Sequence, residues 1–190
     1  MKVLLVDNFD SFTYNIAHYL EKCGVSLTIW DNLSVKLDDL NQFDAVVLSP
    51  GPGLPESAGQ LLETIDRLVS LSIPTLGVCL GMQAIGSYFG ATLYNQKEVK
   101  HGVATTLTVI KDSVLFENCP TNFQVGLYHS WAVDIATTDQ LHATSFSATD
   151  VLMSCEHKSL PVYGVQFHPE SILTEHGNTI IHNFIRQIKK

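Results

Sequence analysis

Through the first half of the chain, short continuous apolar runs alternate with segments whose apolar positions recur at helical spacing. Lys2–Val6 predicts a first strand, followed by a helix that Asp10 or Ser11 caps and that runs to about Cys23, where Gly24 stops it. Ser26–Trp30 predicts a second strand and Ala45–Ser49 a third, fully apolar one. Leu61, Leu62, Ile65, Leu68 and Val69 share one helical face and predict a helix over Gly59–Leu71. Thr75–Val78 is a fourth strand, leading directly into a helix over Leu80–Phe89 that Gly90 ends. Strands that are apolar on both faces need cover on both sides, so this alternation predicts an α/β fold: an open, mostly parallel sheet with helices on both faces.

The texture changes after Gly90. Ala104–Ile110, Phe123–Leu127, Trp131–Val133, Leu141–Phe146 and Val151–His157 are short, alternating or β-branched runs separated by polar residues. They predict a smaller set of antiparallel strands inserted on the α/β body. Lys100-His101-Gly102 reads as a turn, Val162–Gln166 as a return to a buried strand. His176–Lys189 is a closing amphipathic helix that turns Ile180, Ile181, Phe184, Ile185 and Ile188 inward. With no repeat, low-complexity tract or linker, residues 1–190 read as a single domain.

Composition narrows the function classes. With 45% hydrophobic and 16% charged residues, the 190-residue chain reads as a folded globular protein. A net charge of -8, with no cluster of Lys and Arg, argues against a nucleic-acid partner. The first apolar run is too short for a signal segment and Asp7 breaks it; no stretch reaches the length of a membrane span. A cytoplasmic protein without membrane contact is expected. The four cysteines show neither a Cys-x-x-Cys pair nor the His spacing of a zinc site, so free thiols and no metal are expected. Cys23 and Cys155 read as packing residues and Cys119 as a loop thiol.

Cys79 is different. In open parallel sheets, ligands bind beyond the carboxyl ends of the strands. Four segments fall there: Asp7–Phe12, Ser49–Gly53, Cys79 and His168–Glu170. Cys79 stands between Gly77 and Gly81 where a strand turns abruptly into a helix, the setting of a nucleophile elbow with a thiol in place of the hydroxyl. A helix N-terminus favours the reactive thiolate. Taken singly, a cysteine behind an apolar strand is an inert small residue and a histidine a satisfied polar group. Together with His168 and Glu170, two residues apart after another apolar strand, the thiol completes the parts of an acyl-transfer site.

Ser49-Pro50-Gly51-Pro52-Gly53-Leu54-Pro55 matches neither Gly-x-Gly-x-x-Gly nor a P-loop with its lysine. Its prolines remove three backbone donors, leaving the N–H groups of Gly51 and Gly53 free to point at a ligand. One of these, paired with the N–H of Leu80, would form an oxyanion hole; otherwise the loop is simply rigid. Within Tyr128-His129-Ser130-Trp131, Ser130 could bind a substrate's polar end and His129 could shape the pocket. A cross-strand pair on an exposed face is the structural alternative.

Gly77-Val78-Cys79-Leu80-Gly81 together with Gly164-Val165-Gln166-Phe167-His168-Pro169-Glu170-Ser171 resembles the class I (triad) glutamine amidotransferases. Asp7-Asn8-Phe9-Asp10-Ser11-Phe12-Thr13-Tyr14-Asn15, Ser49–Gly53 and Tyr128-His129-Ser130 make the chain similar to the glutaminase subunits of anthranilate synthase and of para-aminobenzoate (aminodeoxychorismate) synthase. The similarity runs from residue 3 to about residue 186. It implies that Cys79 attacks the side-chain amide of L-glutamine, that His168 shuttles the proton, and that Glu170 holds the ring. It implies an oxyanion hole from the backbone N–H groups of Gly53 and Leu80, and glutamine contacts at Gly51, Pro52, Gly53, Leu80, Gln83, Ser130 and Trp131. No cofactor is implied.

The ammonia would go to a chorismate-binding large synthase subunit, for which this chain has no room, so a partner is expected. Two residues depart from the subunit's usual pattern: Met82, where His is common, and Leu127, where Arg usually precedes Tyr-His-Ser. The exposed aromatics expected in Asp7–Asn15 suggest a loop that faces the partner or supports the pocket. Two other readings remain open on sequence: a stand-alone cysteine hydrolase on the same scaffold, and a non-catalytic interaction module.

Overall fold

The structure, a computed structural model, describes residues 1–188, and of 97–100 the backbone only. In chain order the elements are β1 (Lys2–Asp7), α1 (Thr13–Lys22), β2 (Ser26–Asp31), β3 (Ala45–Leu48), α2 (Leu61–Ser70), β4 (Thr75–Val78) and α3 (Leu80–Tyr88). There follow β5 (Thr92–Val109), β6 (Asn122–Asp134), β7 (Leu141–Ser147), β8 (Leu152–His157), β9 (Val162–Val165) and α4 (Gly177–Ile188). Among the described residues these strands make one nine-stranded sheet in the order β2-β1-β3-β4-β9-β8-β7-β5-β6. β2, β1, β3, β4 and β9 run parallel, and the pairs from β9 through β8 and β7 to β5 and β6 are antiparallel.

The parallel half follows from the buried runs. Val3 and Leu5 join Ile16 and Leu20 of α1 and Ile180, Ile181 and Phe184 of α4 in one core cluster. Leu4 and Val6 join Leu61, Ile65 and Leu68 of α2 and Met82 and Ile85 of α3 in the other. Successive strand side chains point to opposite faces, so a run with no polar position must be covered twice. Each such Leu or Val, withdrawn completely from water, stabilises the fold by about 1.5–3 kcal/mol.

The antiparallel strands expected in the second half are inserted between α3 and β9 and continue the same sheet, because β8 pairs with the free edge of β9. The runs at Phe123–Leu127 and Trp131–Val133 are one strand, β6, which carries Tyr128–Ser130 within it. Ala104–Ile110 is part of the much longer β5, and Lys100-His101-Gly102 is no turn. The β5–β6 register shifts between His101 and Val103, with Gly102 at φ +69. A bulge lets glycine and polar residues stay inside a strand that sequence patterning breaks in two.

At the other end, α1 begins at Thr13 with Phe12 at its N-cap position and no side-chain cap. Asp10 instead accepts the Phe12 N–H at 2.8 Å, and Asp7 accepts the Thr13 hydroxyl at 2.7 Å. The closing helix is observed through Ile188; Lys189, the last residue expected in it, lies outside the described residues.

Candidate active site

The polypeptide leaves β4 and enters α3 at Cys79, whose φ of 52 and ψ of -103 put a non-glycine residue in a strained backbone region. Such strain costs about 1–3 kcal/mol and persists only where surroundings impose it. Here the Cys79 N–H donates to Val165 O at 2.8 Å, and the Cys79 carbonyl accepts the Gln83 N–H at 3.0 Å. The flanking glycines make the turn sterically feasible. A Cβ on Gly77 would lie 2.4 Å from the Gly81 carbonyl carbon, and one on Gly81 would lie 2.5 Å from Leu48 O. The sulfur is thereby held at the N-terminus of α3, at the carboxyl edge of the sheet.

His168 and Glu170 follow the end of β9, the neighbour of β4, so the sheet order brings residues far apart in sequence together. His168 Nδ1 lies 2.7 Å from Glu170 Oε1, and both side chains are buried. A carboxylate only accepts, so Nδ1 donates and Nε2 is left to face chemistry. Nε2 is buried without an aligned hydrogen bond in the resting protein, although the Cys79 side chain is near enough to interact with the ring. Catalytic contacts commonly tighten only when substrate binds. Burial opposes charge on this ring, but interaction with Cys79 and Glu170 overcomes it and pushes the His168 pKa up to about 10. Phe12 and Tyr128 wall the ring, at centroid distances of 5.5 and 4.8 Å.

The Ser49–Gly53 loop is held from β1. Asn8 N–H donates to Ser49 Oγ at 2.9 Å, Asn8 Nδ2 donates to Ser49 O at 2.8 Å, and Asn32 Nδ2 donates to Asn8 Oδ1 at 2.9 Å. Gly51 presses on this network: a Cβ there would come within 2.6 Å of Asn8 Cβ. The Asp7–Asn15 segment thus has two faces. Asn8 and Phe12 support the site, while Phe9 and Tyr14 are 57% and 69% exposed.

Between the loop and β6 lies a cavity of about 170 Å³ lined by Gly51, Pro52, Gly53, Cys79, Gln83, Tyr128, His129, Ser130 and Trp131. Every residue singled out from sequence for glutamine contact lines it except Leu80. The Leu80 side chain is buried under Gly51, so its contribution is limited to the backbone following the sulfur. A roomier cleft of about 580 Å³, lined by Leu37, Leu62, Tyr88 and others, holds no cysteine or histidine. His129 is buried, with Nδ1 2.7 Å from Trp131 O; burial, opposed by that hydrogen bond, lowers its pKa to about 4 and keeps the ring neutral. Among the described residues, no group of three or more His, Cys, Asp or Glu could hold a metal ion.

One residue of the site was not foreseen. Gln166 is fully buried, and its Nε2 lies 3.6 Å from Cys79 Sγ. Its Oε1 accepts Gln83 Nε2 at 3.2 Å, and Gln83 Nε2 also donates to Trp131 O at 3.0 Å. In the sequence it stands at the end of a buried strand, two residues before His168, within the Gly164–Ser171 segment but with no role of its own assigned.

Comparison with known proteins points the same way. The family model for glutamine amidotransferase class-I matches residues 4–188. Anthranilate synthase component 2 of Mycobacterium tuberculosis is 40% identical over 97% of this chain and 82% of its own length. Anthranilate synthase component 2 of Azospirillum brasilense is 39% identical over 99% of this chain and 97% of its own length. Among solved structures, a glutamine amidotransferase of Thermotoga maritima superposes with a TM-score of 0.80 at 17% identity, covering 99% of this chain and 97% of that one, a likeness of fold.

Proposed function

From the premise that this chain belongs to the glutamine amidotransferase class-I family, we propose that it is the glutaminase subunit of an anthranilate synthase, supplying ammonia for tryptophan biosynthesis. The observation that carries the reading is Cys79 on its elbow beside the buried His168–Glu170 pair, opening on a cavity lined by the expected glutamine contacts.

Cys79 Sγ, its proton already held on His168 Nε2, attacks the side-chain amide carbon of glutamine. The carbonyl oxygen gains the negative charge and is met by the N–H groups of Gly53 and Leu80. Collapse of this intermediate breaks the C–N bond, and His168 returns the proton to the departing nitrogen, which leaves as ammonia. Water, deprotonated by His168, then attacks the thioester; glutamate departs and the thiol is restored. Splitting amide hydrolysis into two acyl transfers replaces one difficult step with two easier ones. Glu170 keeps Nε2 turned to the sulfur throughout and offsets the charge the ring acquires. Losing one oxyanion donor would cost about 3–4 kcal/mol of barrier, so the position of the Pro50–Pro55 loop governs the rate.

The ammonia is passed to a chorismate-binding component I. Exposed apolar side chains suited to its docking occur at Phe9, Tyr14 and Ile172, the last 98% exposed and next to Ser171. Phe9 lies in the segment after β1, Ile172 in the segment after β9, and Tyr14 in the first turn of α1.

Cys79→Ser is the direct test. In the complex with component I, the variant is expected to lose glutamine-dependent anthranilate formation and to keep ammonia-dependent formation near the wild-type rate. Loss of both would reduce Cys79 to a role in folding or assembly. Formation of aminodeoxychorismate instead of anthranilate by the wild-type complex would move the protein to the folate branch.

A further inference from the structure

Trp131 O is an acceptor and nothing else, and this single fact orients two side chains. Because Gln83 Nε2 lies 3.0 Å from that carbonyl, this end of the Gln83 amide must be the donor. Its second N–H reaches Gln166 Oε1 at 3.2 Å, so the Gln166 oxygen is turned toward Gln83 and away from the sulfur. The Gln166 amide nitrogen is then the end aimed at Cys79 Sγ, 3.6 Å away. The reverse orientation would set an amide oxygen against the sulfur and leave Gln83 donating to an N–H group.

We propose that Gln166 is a catalytic residue of this site: its side-chain N–H holds the Cys79 sulfur in place and supports the negative charge that the sulfur carries when it attacks and when the thioester collapses. The assignment rests on the reading of Cys79 as nucleophile. An N–H bonded to an anion is roughly twice as strong as one bonded to a neutral group, so the donor favours thiolate over thiol. Complete burial of Gln166 and 6% exposure of Cys79 keep water from competing for the contact. The Gln166 backbone N–H donates to Met153 O at 2.8 Å, which fixes the residue to β8 before the side chain turns toward the sulfur. Among the described residues, His168, Glu170, His129 and Tyr128 are the titratable groups around this centre. His168 and Glu170 act on the sulfur through the imidazole, whereas Gln166 touches it without exchanging a proton.

The test is the pH dependence of Cys79 alkylation by iodoacetamide in the full chain, read on the Cys79 peptide by mass spectrometry because three other thiols are present. Gln166→Met keeps the length of the side chain and removes the donor. Its half-maximal alkylation is expected about one pH unit above wild type, which is about tenfold slower alkylation at any pH below both inflections. In the complex, glutamine-dependent synthesis should fall and ammonia-dependent synthesis should hold. If the methionine variant does not fold, Gln166→Asn, which withdraws the amide from the sulfur by one methylene, serves the same comparison. An inflection unmoved from wild type in a folded variant overturns the proposal. Wild-type Cys79 that fails to react with a glutamine-mimicking electrophile overturns the glutaminase reading itself, so the two failures are distinct.

Discussion

At the scale of single residues, the proposed reaction separates a group that transfers the proton from a group that orients it. The Cys79 side chain is near enough to interact with the His168 ring, and Glu170 reaches the chemistry only through that ring. His168→Ala is therefore expected to abolish glutamine-dependent synthesis, and Glu170→Ala to lower it less severely, as steady-state rates with glutamine and with ammonia will show. His129 makes a different prediction. Burial depresses its pKa from 6.5 to about 4, so the unfolded chain binds a proton that the native protein refuses. The stability this neutral ring contributes is complete above pH 6.5, declines as pH falls from 6.5 to about 4, and is gone below that. The loss is about 3 kcal/mol. Urea unfolding at intervals between pH 7 and 4 should fall more steeply in wild type than in His129→Asn; equal slopes would show that this ring is not the group titrating.

At the scale of elements, loops at the carboxyl ends of adjacent strands brace one another. Asn8, directly after β1, ties down Ser49 beyond β3, while Asn32 beyond β2 ties down Asn8. Asn8→Ala leaves buried Ser49 and Asn32 groups without partners, a cost of about 1–3 kcal/mol. Because the freed loop carries Gly51 and Gly53, the variant is expected to lose glutamine turnover beyond what its lowered stability explains. Ammonia-dependent synthesis in the complex, together with a melting curve, separates the two effects.

The elbow follows the same rule: Gly77 and Gly81 are required because backbone, not side chain, occupies the space a Cβ would need. The helices on both faces were legible because their apolar spacing is local. The long strands β5 and β6 were not, because pairing between them, including a bulge at His101–Val103, overrides the local breaks at Gly102 and Tyr128–Ser130. Cap residues misled for a related reason. Asp10 bonds the turn before α1, and Asp7 reaches across to Thr13, so the helix starts later than a cap residue alone would suggest.

At the scale of the molecule, the proposed function makes this chain half of a machine. An active site at one edge of the sheet, with exposed Phe9, Tyr14 and Ile172 in the segments that follow β1 and β9, suits delivery of a small, easily lost product into a second protein. Ile172→Asp places a charge where the partner would seat. It is expected to weaken association with component I by about tenfold or more, and so to reduce glutamine-dependent synthesis at limiting subunit concentration. Alkylation of Cys79 in the free chain should be unchanged. Partner binding is also expected to raise glutaminase turnover by settling the Pro50–Pro55 loop; identical turnover with and without component I would refute this gating.

The chain by itself determined its buried strands, its helices, and the identities of Cys79, His168 and Glu170, because strand burial, helical period and the glycines around a nucleophile are written in neighbouring residues. It also marked most of the cavity wall, from Gly51 to Trp131. Tertiary structure alone decided that β4 lies beside β9, which brings sulfur and imidazole together across the sheet. Only the fold, too, sets Asn8 under the loop, Phe12 against His168, and the Gln166 amide on the sulfur. Those contacts are polar or aromatic and span dozens of residues, and no local periodicity encodes where a side chain will meet a partner on another strand.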